Sequence, residues 1–500
     1  MSARPRPIAL GWALLALAGC AVGPNYKPPA PPSGAEAPLV SVNPAAETPV
    51  QPPDDWWRLY DDPELDQLIQ RAFVANADLK VAEDGLAAAR ASLEAARNGL
   101  YPQTNANFGA VYGRNATTDE ILEITGHRPK TGWAFDDILD VSYELDLFGR
   151  VRRSLEASRA DAGAAIAARD SVLITVAAET VRAYAQVCTL GEQLAVARRS
   201  VDIVSREAEI AVQRQAAGAG SRFDIVRAQG LVAQTRAAIP PLEGQRRAAV
   251  FQLTALIGRT PVEAPAEVES CAAAPHLTAL IPVGDGAALL KRRPDVRLAE
   301  RRLAAATARI GVATADLYPR ISLTGLYGGA ASDLGGLVAE RGLTWGLGPS
   351  INWTFPNVAG TEARIHLAKA GGAAALDGFD STVLQALKET EQALATYGAE
   401  LDHRQVLAEV LDRAQAAFDI AHGQYVAGAI SSLDLLTSEQ ALVSADAAVA
   451  ASDSALAQDQ IAVFKALGGG WRGWPATNAQ RTDITDPIAP NGGNAGPRPH

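Results

Sequence analysis

Apolar and polar residues alternate with period two at four places along the 500-residue chain, with helical segments of very unequal length between them. Thr104, Ala106, Phe108, Ala110 and Tyr112 share one parity, with Asn105, Asn107 and Gly109 on the other. A polar, Gly-containing stretch follows, and then Val141, Tyr143, Leu145 and Leu147 alternate with Ser142, Glu144 and Asp146. Further on come Ile321, Leu323, Gly325 and Tyr327. The longest run is Leu343, Trp345, Leu347, Pro349, Ile351, Trp353 and Phe355 against Thr344, Gly346, Gly348, Ser350, Asn352 and Thr354. Period two predicts strands at about 103–112, 138–148, 320–327 and 343–355. Before each pair lies a helical segment, about 79–98 and 296–315, ended by Tyr101-Pro102 or Tyr318-Pro319, because proline cannot continue a helix.

After each pair, segments 151–217 and 361–427 run without proline for about 67 residues, roughly 100 Å as helix. Val187, Leu190, Leu194, Ala197, Val201, Val204, Ala208 and Ala211 alternate spacings of three and four, as do Leu407, Leu411, Ala414, Phe418, Ala421 and Tyr425. Such a seam predicts coiled-coil packing. Both segments stop at matching turns, Ala217-Gly218-Ala219-Gly220-Ser221 and Ala427-Gly428-Ala429-Ile430-Ser431. Glycine supplies the left-handed cap, Ser221 and Ser431 or Ser432 can cap the next helix, and Asp224 or Asp434 sits in its first turn. Helix punctuation alone explains these turns. Return helices are expected at 222–257 and 432–467.

The parallel between the halves is a tandem duplication. Leu100-Tyr101-Pro102 recurs as Leu317-Tyr318-Pro319, Asp78 and Glu83 as Asp295 and Glu300, and Gly218 and Asp224 as Gly428 and Asp434. The domains read as a first repeat at 56–270 and a second at 271–470.

The aromatic residues at one end of the alternating runs suit a membrane interface, with Phe108, Tyr112, Tyr143, Leu145, Leu323, Tyr327, Trp345, Leu347, Ile351 and Trp353 facing lipid. A soluble hairpin half-buried against a helix is the alternative. Lipid-facing strands carry a requirement: four strands close no barrel, and open edges leave amides unpaired in lipid. Several copies must then share one barrel, eight strands from a dimer or twelve from a trimer. Glu144 and Asp146 either line its lumen and favour cations, or mark the strand's end at the rim.

Composition excludes little beyond nucleic acid, for which a net charge of -11 without a basic run is unsuited. The N-terminus is more specific. Arg4 and Arg6 precede an apolar stretch, 8–19, too short to span a bilayer. Leu17-Ala18-Gly19-Cys20 closes it and resembles a bacterial lipoprotein lipobox, implying a signal peptide at 1–19 and covalent lipid on Cys20. A plain secretory signal with a chance cysteine is the alternative. Ala21 after the cysteine favours outer-membrane sorting by the same resemblance. Residues 24–53 hold ten prolines, so 20–55 reads as an extended leash without a core. The tail at 471–500 reads as disordered, with Trp471 and Trp474 near its start.

Lipobox, leash and the twice-repeated plan of helix, strand pair and long helical hairpin together resemble an outer membrane efflux factor of the TolC superfamily, in its lipoprotein branch called NodT. The motifs that carry this are Cys20-Ala21-Val22-Gly23-Pro24-Asn25-Tyr26, Trp56-Trp57, Tyr143-Glu144-Leu145-Asp146-Leu147-Phe148-Gly149-Arg150, Arg293-Pro294-Asp295-Val296 and residues 308–320. The resemblance implies a mainly helical chain forming a periplasmic α-barrel, with four strands given to a 12-stranded barrel of a homotrimer in the outer membrane. It implies a passive exit duct for small molecules such as drugs or toxic compounds, a periplasmic membrane-fusion adaptor and an inner-membrane resistance-nodulation-division pump. Gly218, Ser221, Asp224, Gly428, Ser431 and Asp434 would then meet the adaptor, and Tyr425 and Leu433 would lie at a constriction. The family often has an acidic residue one turn after the leucine. Thr437 stands there, leaving Asp434 or Glu439 as substitutes.

No catalytic or metal-binding pattern is visible: His127, His276, His366, His403, His422 and His500 have no partner at ligand spacing, and no phosphate loop or Gly-x-Ser-x-Gly occurs. An enzyme is not expected, nor a cofactor, and His403 and His422 read as helix-surface residues. Once Cys20 carries lipid, Cys188 and Cys271 remain in an oxidising compartment, where a disulfide between them is expected. Two further readings compete with efflux, an exit duct for type I protein secretion and a structural coiled-coil lipoprotein without a pore.

Overall fold

The computed structural model describes residues 21–113, 131–273, 275–277, 280–340 and 342–470. Cys20, the signal peptide, Trp471, Trp474 and the tail lie outside them. In chain order the elements are β1 (Glu47–Thr48), a 3-10 turn Trp56–Tyr60, α1 (Pro63–Ala75), α2 (Ala77–Asn98), β2 (Gln103–Gly113), β3 (Gly132–Leu145), α3 (Arg150–Ala216), α4 (Arg222–Arg236), α5 (Ile239–Leu256), β4 (Ile281–Pro282), α6 (Gly286–Arg292), α7 (Pro294–Ala315), β5 (Arg320–Ala331), α8 (Leu334–Leu337), β6 (Leu343–Asn352), α9 (Ala359–Val426) and α10 (Ser432–Ala466). They form two compact units, and each draws on both repeats. Of the described residues, one takes those up to Pro29 with those in Leu86–Ala165 and Ala299–Phe379; the other takes those in Ala30–Gly85 and Ile166–Leu298 and those from Asp380.

The first unit holds an antiparallel sheet of order β2-β3-β5-β6. Its register puts Phe108 opposite Asp137, Tyr112 opposite Trp133, Tyr143 opposite Leu323, Tyr327 opposite Trp345 and Ile321 opposite Ile351. Since pleated side chains alternate between faces, these residues share one face with Leu145 and Leu347. It is open, with Trp345 74% and Leu347 72% exposed. Asn105, Asn107, Asp136, Asp140, Ser142, Glu144, Ser322, Thr324 and Ser350 take the other. Among the described residues, the outer edges of β2 and β6 pair with no strand of this chain.

Some strand ends differ from the pattern. β3 spans 132–145 rather than 138–148, and β6 stops at Asn352, three residues short of 355. Trp353 thus lies beyond the ladder, its indole Nε1 donating to the Leu317 carbonyl at 3.0 Å. Past Leu145 the chain turns into α3: Asp146 accepts the Val151 and Arg152 amides at 2.9 Å each, and Glu144 pairs with Arg150. Asp146, one residue past the end of β3, therefore caps the start of the helix. Phe148 stacks on Tyr318 of the other repeat, centroids 4.5 Å apart.

A coreless leash is not what the described N-terminal residues form. In the first unit the Val22 amide donates to the Phe148 carbonyl at 3.1 Å. The guanidinium of buried Arg153 reaches the Val22 and Gly23 carbonyls and, at 2.7 Å, the Asn25 side chain. Gly149, at φ +82°, faces Ala21 so closely that a Cβ would sit 2.7 Å from its Cα. In the second unit Ala35 and Leu39 are buried, Glu391 accepts the Val40 and Ser41 amides, and β1 pairs in parallel with β4. Proline removed donors from this segment, but its carbonyls remained available to arginine.

The core of the second unit gathers on Trp56, stacked on Phe464 with centroids 4.6 Å apart. Arg293 explains its motif: it donates to the Ala466 carbonyl at the end of α10 and pairs with Asp295 and Glu389. Cys188 and Cys271 are bonded, S–S 2.08 Å. Gly191 makes room for that approach, since a Cβ there would lie 2.3 Å from the Cys271 carbonyl. The expected return helix 222–257 is divided: α4 ends at Arg236 and α5 starts at Ile239 with Pro240 in its first turn, where a missing amide costs nothing.

Candidate functional site

The two helical turns are built alike. Gly218 and Gly428 have φ +73° and +76°. The Ala219 amide reaches back to the Arg214 carbonyl and the Ala429 amide to the Gln424 carbonyl, both at 2.8 Å. This left-handed glycine cap satisfies the last carbonyls of α3 and α9. Next comes a reciprocal capping box: Asp224 donates its amide to the Ser221 hydroxyl while its carboxylate accepts the Ser221 amide, and Ser431 and Asp434 repeat the arrangement. Ser431, rather than Ser432, is the cap. These hydrogen bonds hold both aspartates below the usual carboxylate range, with the Ser432 hydroxyl the largest influence on Asp224 and Ser431 on Asp434.

Ser432 is free to bridge the repeats, donating to Asp224 Oδ1 of the other hairpin. A second link runs the opposite way. The Arg214 guanidinium lies 4.3 Å above the Tyr425 ring and donates to the Tyr425 carbonyl at 2.6 Å. Tyr425 is buried beneath it, whereas Leu433 and its counterpart Phe223 are exposed. The structure thus brings Asp224, Ser221, Tyr425 and Ser431 together and leaves Leu433 free at the surface of this chain.

The predicted seams are present on both long helices. Val187, Leu190, Leu194, Val204 and Ala211 are buried, and Leu407, Leu411, Ala414, Phe418 and Ala421 are half-buried. Next to the seam lie polar groups whose contacts the heptad pattern does not reveal. Glu207 Oε1 is 2.8 Å from His422 Nδ1, so His422 is half-buried against a carboxylate and is not a plain surface residue. His403 is exposed and pairs with Glu400 on its own helix. Glu439, on α10, is 2% exposed. Burial, and secondarily the charge of Glu207, pushes its carboxyl up to about 8. The duplication offered a signal: the positions matching Glu207, His422, Tyr425 and Arg214 in the other repeat are Ala417, Val212, Gln215 and Gln424, so polarity here is not shared by both hairpins.

Among the described residues no group of three or more His, Cys, Asp or Glu could hold a metal ion, and no helix is long and apolar enough to cross a membrane. The features that bear on function are therefore a one-faced apolar sheet and a double helical turn.

Comparison with known proteins agrees with this plan. The family model described as outer membrane efflux protein matches residues 68–259 and 287–469. Nodulation protein T of Rhizobium leguminosarum bv. viciae is 28% identical over 91% of this chain and 92% of its own length. A probable outer membrane lipoprotein, SilC of Salmonella typhimurium, is 28% identical over 91% of this chain and 96% of its own. Among solved structures, the outer-membrane channel OprN superposes with a TM-score of 0.83 at 33% identity, covering 90% of this chain and all of that one. With the family model covering most of both repeats, the chain belongs to the outer membrane efflux protein family.

Proposed function

We propose that three copies of this chain form the passive exit duct of a tripartite efflux system, carrying small molecules such as drugs or toxic compounds across the outer membrane. The observation that carries the reading is the four-stranded sheet: one face is apolar and exposed, the other polar, and among the described residues both outer strands lack a partner in this chain. In hydrocarbon an unpaired edge amide costs several kcal/mol, so such a sheet belongs in lipid only as part of a closed barrel. Three copies give twelve strands, with Trp345, Leu347 and Ile351 toward lipid and Asn105, Asp136 and Asp140 toward the lumen. A coiled-coil lipoprotein without a pore would have no use for this face.

The turns at Gly218 and Gly428 are the proposed contact with a periplasmic membrane-fusion adaptor fed by an inner-membrane resistance-nodulation-division pump, and Tyr425 and Leu433 the proposed constriction. Lipid on Cys20 would leave the chain beside Ala21, which lies against Gly149 at the strand-to-helix junction. That placement puts acyl chains near the sheet, where several of them anchor stably. Native mass spectrometry of the detergent-solubilised protein tests the assembly. Three chains that separate only on heating support it, and a monomer that keeps its strand signal by circular dichroism contradicts it.

A further inference from the structure

Glu207 of α3, His422 of α9 and Glu439 of α10 meet at a place that neither the capping boxes nor the Arg214–Tyr425 link requires. Oε2 of Glu207 and Oε1 of Glu439 are buried without a hydrogen-bond partner. His422 Nδ1 is near enough to Glu207 for an ion pair, but not aligned for a hydrogen bond. The cavity that both carboxylates line measures about 20 Å³, room for about one water and not for a hydrated cation. The other charged groups facing it are accounted for. Asp224 is held by Ser221 and Ser432, Arg214 lies over Tyr425, and Arg227 lines the wall from α4, close to the Phe223 ring. Neither arginine forms an ion pair with either glutamate among the described contacts.

A carboxyl buried beside a second carboxylate, in a cavity with room for about one water, ionises only at a cost. We propose that a proton held on buried Glu439, beside the Glu207 carboxylate, latches the two helical hairpins together, closed while the proton is held and released when it leaves.

The sign follows from where the proton binds more tightly. The closed seam raises the Glu439 carboxyl to about 8, whereas in an opened, solvated seam it approaches the ordinary glutamate value of about 4.3. Closed seams therefore lose their advantage as pH rises between these values. Above the upper one the loss is complete, at most several thousandfold in the closed-to-open ratio.

Only the consequence for transport rests on the proposed duct. The latch itself is tested by electron-electron distance measurements on the full detergent-solubilised chain, spin-labelled at Ala219→Cys and Ala429→Cys on the two turns. The expected distribution is narrow near about pH 5 and broad near about pH 9. Glu439→Gln should keep it narrow at both, and Glu207→Gln should move the transition to lower pH. A wild-type distribution that ignores pH, or a Glu439→Gln chain that broadens as the wild type does, overturns the latch. Planar-bilayer recordings separate the two readings: pH-dependent distances without any conductance would support the latch and overturn the duct.

Discussion

Arg214 holds Tyr425 twice, its guanidinium 4.3 Å above the ring and its Nη1 donating to the carbonyl of the same residue at 2.6 Å. One side chain of α3 thereby pins the last turn of α9. A charged hydrogen bond and a cation–π contact at a half-open site are together worth about 2 kcal/mol. Arg214→Ala is expected to speed amide exchange over residues 419–426 by roughly thirtyfold, and Arg214→Lys by less. Unchanged exchange in the alanine variant would show that the hairpins are held elsewhere.

Asp224 and Asp434 look equivalent in sequence, but only Asp224 also accepts from the opposite hairpin. Asp434→Asn should fray the first turn of α10 alone. Asp224→Asn should loosen the first turns of both α4 and α10. Hydrogen bonds depress both carboxyls, so their contribution is present above the ordinary aspartate range and lost as pH falls through the depressed values. Both turns should accordingly fray in acid, the opposite direction to the Glu207–Glu439 seam. Site-resolved exchange measured down the pH scale distinguishes the two.

The Cys188–Cys271 bond closes a loop across a separation of 83 residues. By chain-entropy arithmetic a loop of this size is worth about 4.5 kcal/mol. Reduction, or Cys188→Ser with Cys271→Ser, is expected to lower the unfolding temperature of the full chain while leaving the sheet intact. Non-reducing peptide mapping that recovers both thiols free would contradict the bond itself.

On the sheet, Leu347→Lys and Ser350→Lys place the same charge on opposite faces. The first should cost about 2–4 kcal/mol in membrane assembly and the second far less, read as yield of the heat-sensitive oligomer. Equal losses would mean that Leu347 does not face lipid.

The alternation made the faces of the sheet legible, because period two fixes the side of every residue once one is known, and Phe108 and Trp345 were placed by parity alone. Strand ends were harder. Alternation continues through Trp353 and Phe355, but β6 stops at Asn352, so patterning outlasts pairing. Pro240-Pro241 marked the split between α4 and α5, yet proline is tolerated in a first turn and a continuous helix was a natural reading. The glycine turns were legible because only glycine enters the left-handed region cheaply. The Glu207, His422 and Glu439 seam was not, since a polar residue beside a heptad seam looks the same whether solvent or another carboxylate faces it. The packing of the N-terminal segment is hidden for a related reason. Proline content describes donors lost, whereas Arg153 and Arg292 bind the carbonyls that remain.

The central claim is that copies of this chain complete a conducting barrel, and single-channel recording of the purified, lipid-bearing protein in planar bilayers tests it most directly. Long-lived steps of one uniform size are predicted, with a preference for cations that weakens in Asp136→Asn and Asp140→Asn, the acidic residues on the polar face of β3. A protein that inserts into the bilayer yet passes no current, at acid and alkaline pH alike, would contradict the account.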